Sequence, residues 1–192
     1  MRITEIECKL QSLPKPDRKY LTPSEIASLI AASSRLSRNP VRDKAILTVM
    51  FRHGLRASEV ALLQWIDISF QDLTIFIRRK KGSQSLMNPL YPEEAVLLKK
   101  LKKKTFNPYV FISESGNPID DNTIRYLIHK ANVLSGIPFR INAHMIRHTT
   151  AQILADNGND VFLIKQQLGH SDIRNTMIYV NNSPTRLRQM KW

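Results

Sequence analysis

His144-Met145-Ile146-Arg147-His148-Thr149 is the stretch from which the rest of the chain is read. His144 and Arg147 stand three residues apart, which on a helix puts both on one face. A neutral imidazole exchanges a proton near neutral pH. A guanidinium offers a rigid fork of donors that matches two oxygens of a phosphate. The pair therefore suits a phosphodiester better than a carbonyl. On its own the pattern is short, and a capped, partly buried helix with an ordinary histidine produces the same letters.

Downstream, this helix ends near Asn157-Gly158. Asp160 caps a short helix with Val161, Phe162, Ile164 and Leu168 inside, and Gly169 stops it. His170 follows at once. Ser171-Asp172 starts a last short helix, with Tyr179 at its end.

Upstream, Arg140 to Ala143 leads in from a helix over about 121–134, which Gly136 ends. Tyr109 to Ile112 reads as a short strand or extended piece. Pro92-Glu93-Glu94 starts a helix that runs into a lysine cluster, acid at the front and base at the back. Ile66-Asp67-Ile68 and Thr74 to Ile77 read as strands turned at Gln71-Asp72. Arg78-Arg79-Lys80-Lys81-Gly82 is a basic hairpin tip, and Ser85 to Leu90 is the return strand.

Further back, Leu55-Arg56-Ala57-Ser58-Glu59 opens a short helix. Arg56 lies between buried segments, where a charge needs a partner such as Glu59. Asn39-Pro40 starts a largely buried helix ending near Gly54. Thr22-Pro23-Ser24-Glu25 carries a capping box, with proline at the first helical position. Residues 1–20 are polar and read as a tail or linker around Pro14 and Pro16. The expected fold is mainly α with one small antiparallel β-sheet. The catalytic unit spans 21–182, and 183–192 form a C-terminal tail.

Composition narrows the partner. The 192 residues are 42% hydrophobic, which excludes a disordered chain. Lys and Arg total 29 against 16 Asp and Glu, a net charge of +13. Such an excess implies a polyanion. No basic helix with a continuous apolar face points to a membrane surface, and no apolar run approaches a membrane span. The start does not read as a signal peptide. A single cysteine, Cys8, excludes an internal disulfide framework and fits a reducing interior. No Cys/His pattern has zinc-ligand spacing, and no acidic cluster suggests a two-metal site. Nucleic acid is the expected partner.

The set Arg56, a hairpin lysine, His144, Arg147, His170 and Tyr179, in this order, resembles the tyrosine recombinases of the phage-integrase family. The matching stretches are His53 to Glu59, Lys81-Gly82, His144 to Thr149, Leu168-Gly169-His170-Ser171 and Thr176 to Tyr179. They lie within residues 20–182. The resemblance implies site-specific DNA breakage and rejoining through a covalent 3′-phosphotyrosine, with neither metal nor ATP. It implies Arg56 and Arg147 as phosphate clamp, Lys81 as general acid, His144 for proton handling, His170 as a phosphate hydrogen bond and Tyr179 as nucleophile. Glu59 would hold Arg56. His53, His129 and His148 read as structural, with His148 bracing Arg147. Arg78, Arg79 and Lys80 would touch DNA.

Lys81 is preferred over Lys80 because it directly precedes Gly82, as at the family's turn. A two-residue strand period lets only one of them reach the phosphate. The implied partners are double-stranded DNA and further copies of the chain in a tetramer, in the cytoplasm with the nucleoid. The small stand-alone members that invert fimbrial promoter segments also look similar. A proline-bearing leader is also what an interdomain linker would present. Two other readings stay open: a non-catalytic DNA-binding regulator of the same fold, and a type IB topoisomerase-like enzyme.

Overall fold

Helix starts and glycine stops divide the chain much as its letters suggest. The computed structural model describes residues 3–35, 38–79, 85–103 and 106–181. The preferred Lys81, its rival Lys80 and the tail 183–192 lie outside the described residues. In α2 (Pro23–Ser33) the Thr22 hydroxyl accepts from the Glu25 N–H while the Glu25 carboxylate accepts from the Thr22 N–H, closing the expected capping box. α3 (Pro40–His53) is lined with buried Ala45, Ile46, Leu47, Val49 and Met50 and stops at Gly54, whose φ is 58°. A side chain there would be strained, and its Cβ would stand 2.5 Å from Leu168 Cδ2.

α4 (Ala57–Ala61) follows directly. A 3-10 turn at Trp65–Asp67 delays β1, which covers only Ile68–Ser69. β2 (Thr74–Ile77) and β3 (Leu86–Pro89) complete an antiparallel sheet of order β1-β2-β3. Ile75 stands opposite both Ile68 and Asn88, and Ile77 opposite Leu86. Ile75 and Ile77 point inward, so one face of β2 is core. The 109–112 stretch makes only isolated bridges, Gln64 with Tyr109 and Ile112 with Pro118, and is extended rather than a strand of that sheet.

The remaining helices are α5 (Pro92–Lys102), α6 (Asp121–Ser135), α7 (Ala143–Asp156), α8 (Val161–Leu168) and α9 (Arg174–Asn181). α2 lies on α6, and α3 packs against α2, α5 and α7 around one large apolar core. Ala151, Ala155, Ile164, Leu168 and Tyr179 form a second, smaller cluster between α7, α8 and α9.

The leader departs from the expectation of a polar tail. Residues Ile3–Ser12 form α1, which rests on α6 with Ile6 buried. Arg140 fixes its end. Its Nε donates to the Leu13 carbonyl at 2.8 Å, its Nη2 to that of Gln11, and its backbone N–H to that of Pro14. The Leu21 N–H then donates to Thr149 Oγ1 at 2.8 Å, holding the rest of the leader beside α7.

Candidate active site

α7 begins where the Asn142 side chain accepts from the Met145 N–H at 2.9 Å. Met145, Ile146 and Thr149 then enter the core, while His144, Arg147 and His148 line the opposite side. Arg147 is 5% exposed. Its Nη1 donates to the Gly54 carbonyl and its Nη2 to the Leu168 carbonyl, each at 2.6 Å. Both acceptors lie where a helix has just ended at a left-handed glycine, Gly54 after α3 and Gly169 after α8. Helix C-termini leave carbonyls unpaired and carry partial negative charge. They offset part of the cost of burying this cation. Burial, together with the neighbouring Arg56 and Arg79, brings Arg147 down to about 10, so it stays protonated at neutral pH.

Beneath Arg147 lies a second charged group. The Glu59 side chain is fully buried. It accepts from Arg56 Nη1 and from Arg79 Nη1, each at 2.7 Å, and from the Arg56 backbone N–H at 2.9 Å. Burial alone would push the Glu59 carboxyl up. Arg79 and Arg56 outweigh it and hold the group below the usual carboxylate range. Arg79 also donates to the carbonyls of His53 and Gln167, so it ties the ends of α3 and α8 together as Arg147 does.

The expectation that Arg79 touches DNA is therefore corrected. Its side chain is 1% exposed and committed to Glu59 and two carbonyls. The strand period accounts for this. Ile75, Ile77 and Arg79 fall on one face of the β2 ribbon, and that face is core. Arg78 falls on the other face. It is half exposed, lies over the Phe76 ring and donates to Asp67 from Nη2 at 2.6 Å and from Nε at 2.9 Å.

Tyr179 closes the site from α9. It is 6% exposed and packs in the small apolar cluster, and burial pushes its hydroxyl above the ordinary tyrosine value. Its hydroxyl is hydrogen-bonded to Nδ1 of His148. His170 leaves the end of α8 with Nδ1 bonded to the buried Thr176 hydroxyl at 2.9 Å, which makes Nε2 the nitrogen a ligand can meet. Burial first, then the surrounding cations, holds His148 and His170 near 4 and lowers His144 as well. All three imidazoles are neutral at neutral pH.

Arg56, His144, Arg147, His148, His170 and Tyr179 line one cavity of about 260 Å³, with Asn175 and Ile178 at its edge. A neighbouring cavity of about 490 Å³ shares Arg56, His144 and Arg147 and continues along Ser58, Arg125 and Asn142. Arg56 just before α4, His144, Arg147 and His148 on α7, His170 after α8 and Tyr179 on α9 thus converge. The His53 side chain does not line the cavity and is buried against Glu94 at 3.0 Å. His148, expected to brace Arg147, instead meets Tyr179. Sequence reasoning missed that partnership and the inward role of Arg79. Among the described residues no group of three or more His, Cys, Asp or Glu side chains forms a metal-holding cluster, and no helix is long and apolar enough to cross a membrane.

Known proteins place this geometry. The Phage integrase family profile matches residues 19–186. The type 1 fimbriae regulatory protein FimB of Escherichia coli K12 is 34% identical over 175 residues, covering 88% of this chain and 87% of FimB. The crystal structure of XerA recombinase superposes with a TM-score of 0.77 at 28% identity, over 93% of this chain and 67% of XerA. The XerH recombinase bound to its difH substrate before cleavage has the same fold, with a TM-score of 0.74 at 21% identity, over 91% of this chain and 54% of XerH. The chain belongs to the phage integrase family of site-specific tyrosine recombinases.

Proposed function

We propose that the cavity holds one phosphodiester of double-stranded DNA and that Tyr179 attacks its phosphorus. The Tyr179 oxygen forms a bond to phosphorus as the bond to O5′ breaks, leaving a 3′-phosphotyrosine. A 5′-hydroxyl later reverses the step and reseals the strand. The phosphodiester bond energy is kept in the intermediate, so no ATP is consumed. Arg56 and Arg147 face the non-bridging oxygens. They act where charge builds up on a pentavalent phosphorus, and in a buried pocket that charge is weakly screened. Arg147 has spent two of its five N–H groups on carbonyls, which fixes the plane of the remaining donors. His170 donates from Nε2 to a phosphate oxygen, with Thr176 setting its ring. Lys81 protonates the departing O5′. His144 handles protons at the edge of the cavity, and Arg78 and Lys80 grip the backbone alongside.

The observation that carries this reading is the convergence of Arg56, His144, Arg147, His170 and Tyr179 on one cavity. A net charge of +13 supplies the long-range attraction to DNA. Further copies of the chain would assemble as a tetramer on two duplexes, inside the cytoplasm with the nucleoid. The likeness to a fimbrial regulatory protein over most of both chains favours inversion of a DNA segment as the outcome. The test uses nicked duplexes from the DNA flanking the protein's own gene, so that the cleaved end diffuses away. A DNA-linked protein that survives denaturation, and forms equally in excess chelator, is the expected product. Cleavage that needs magnesium and leaves no linked protein would overturn the reading.

A further inference from the structure

Two histidines one helical turn apart border the nucleophile, and only one of them is bonded to it in the described structure. His144 and His148 are separated by four residues of α7, and their rings meet edge-on at 5.8 Å. His148 lies deeper, with its ring 5.5 Å from that of Tyr179 and its Nδ1 on the phenolic oxygen. We propose that His148, rather than His144, holds the Tyr179 hydroxyl in place and receives its proton as the oxygen attacks phosphorus. This rests on the phosphotyrosine reading above.

Three features of the site support the assignment. The first is access. Tyr179 is 6% exposed, so bulk water is a poor acceptor for its proton, whereas Nδ1 of His148 is already in hydrogen-bond contact. The second is protonation. His148 faces His144 and Arg147 on its own helix, Lys19 from the leader, Tyr179 from α9, and His170 and Arg56 across the cavity. Burial, with Lys19 and Arg147 among the neighbouring charges, holds the ring near 4, so it is neutral at neutral pH and its lone pair is available to accept. The third is the change that substrate brings. A phosphate entering beside Arg56 and Arg147 adds negative charge, which opposes the same cations and makes an imidazolium less costly.

In the step itself the Tyr179 oxygen bonds phosphorus and the P–O5′ bond breaks. The phenolic proton passes to His148 Nδ1, and O5′ takes its proton from a separate acid. On resealing each transfer runs backwards. The neutral ring must carry its own proton on Nε2, and His144 at its edge is placed to relay the charge.

The test uses the full chain and a duplex with sulfur at the bridging 5′ position. A thiol leaves without an acid, so the pH dependence of adduct formation reports the proton acceptor alone. His148→Asn still offers a hydrogen bond to the hydroxyl but takes no proton. It should form the adduct about 100-fold more slowly, the usual scale of a lost general base, and lose the rising limb of the pH profile. DNA affinity and melting temperature should stay near wild type. Added imidazole should partly restore His148→Ala. A His148→Asn rate and profile equal to wild type, or loss of the limb in His144→Asn alone, would overturn the proposal and leave the phosphotyrosine reading standing. No adduct in the wild type would remove that reading and this proposal together. Should both His148 variants unfold, nitrogen-15 NMR of the wild type decides. A neutral ring protonated on Nε2 is required, and an Nδ1-protonated ring or an imidazolium at neutral pH overturns it.

Discussion

Glu59 is a buried carboxylate bonded to both Arg56 and Arg79, and its charge also acts on Arg147, so Glu59→Gln is a sharp test of how the site is held. The change keeps the shape and removes one charge. Arg79, 1% exposed, would then be a buried cation with two carbonyls but no counter-charge, beside two more guanidiniums. Breaking a buried pair by neutralising one partner costs about 3–5 kcal/mol. For a chain of this size each kcal/mol lowers the melting temperature by roughly 2–4 °C, so the fall should be about 6–20 °C. The variant should be followed by thermal and denaturant unfolding, with Arg79→Met and the double variant as companions. The double variant should lose less than the sum of the singles, by about 0.5–3 kcal/mol, because its two changes remove both ends of one interaction. A Glu59→Gln loss below about 1 kcal/mol, typical of an exposed pair, or strict additivity would mean that Glu59 does not hold Arg79 as a buried ion pair.

Two further expectations follow, one from the proposed reaction and one from the buried histidines. Lys81→Ala should be badly impaired on an ordinary duplex and largely restored when sulfur replaces the bridging 5′-oxygen, while Arg147→Ala stays impaired on both. Rescue of Lys80→Ala instead would move the acid one residue. In acid, His170 should limit stability together with His148, because the pKa of each drops from 6.5 to about 4 on folding. The unfolded chain then binds more protons between those values, so the stabilisation is complete above 6.5 and is lost as pH falls towards 4. The melting temperature should fall across that window, and less steeply in His170→Asn. Equal slopes would mean that the ring is not held neutral by the fold.

Much of this was legible in the letters because the signals were local. Thr22 and Glu25 close their capping box within one turn. Gly54 and Gly169 mark helix ends that only a left-handed residue makes, and those ends supply the carbonyls for Arg147. His144 and Arg147 share a face by spacing alone. The misses were of another kind. Arg78 and Arg79 look alike in sequence, yet burial sorts the two by the strand's alternation. Continuing the Ile75, Ile77 pattern by two residues would have placed Arg79 inside. The docking of α1 depends on Arg140, far along the chain, and no local pattern announces it. The His148–Tyr179 contact joins residues 31 apart, and a histidine next to the expected arginine gives no hint of facing a different partner.

If Tyr179 becomes covalently linked to DNA, the link itself can be found. The denatured adduct should be digested with nuclease and protease and its peptides weighed. A nucleotide joined through its 3′-phosphate to the peptide carrying Tyr179 is the predicted result. Tyr179→Phe should still bind DNA, since that rests on phosphate contacts, yet yield no adduct. A linked nucleotide on Tyr126 or Tyr109, or an adduct that persists in the Phe variant, would show that Tyr179 is not the nucleophile.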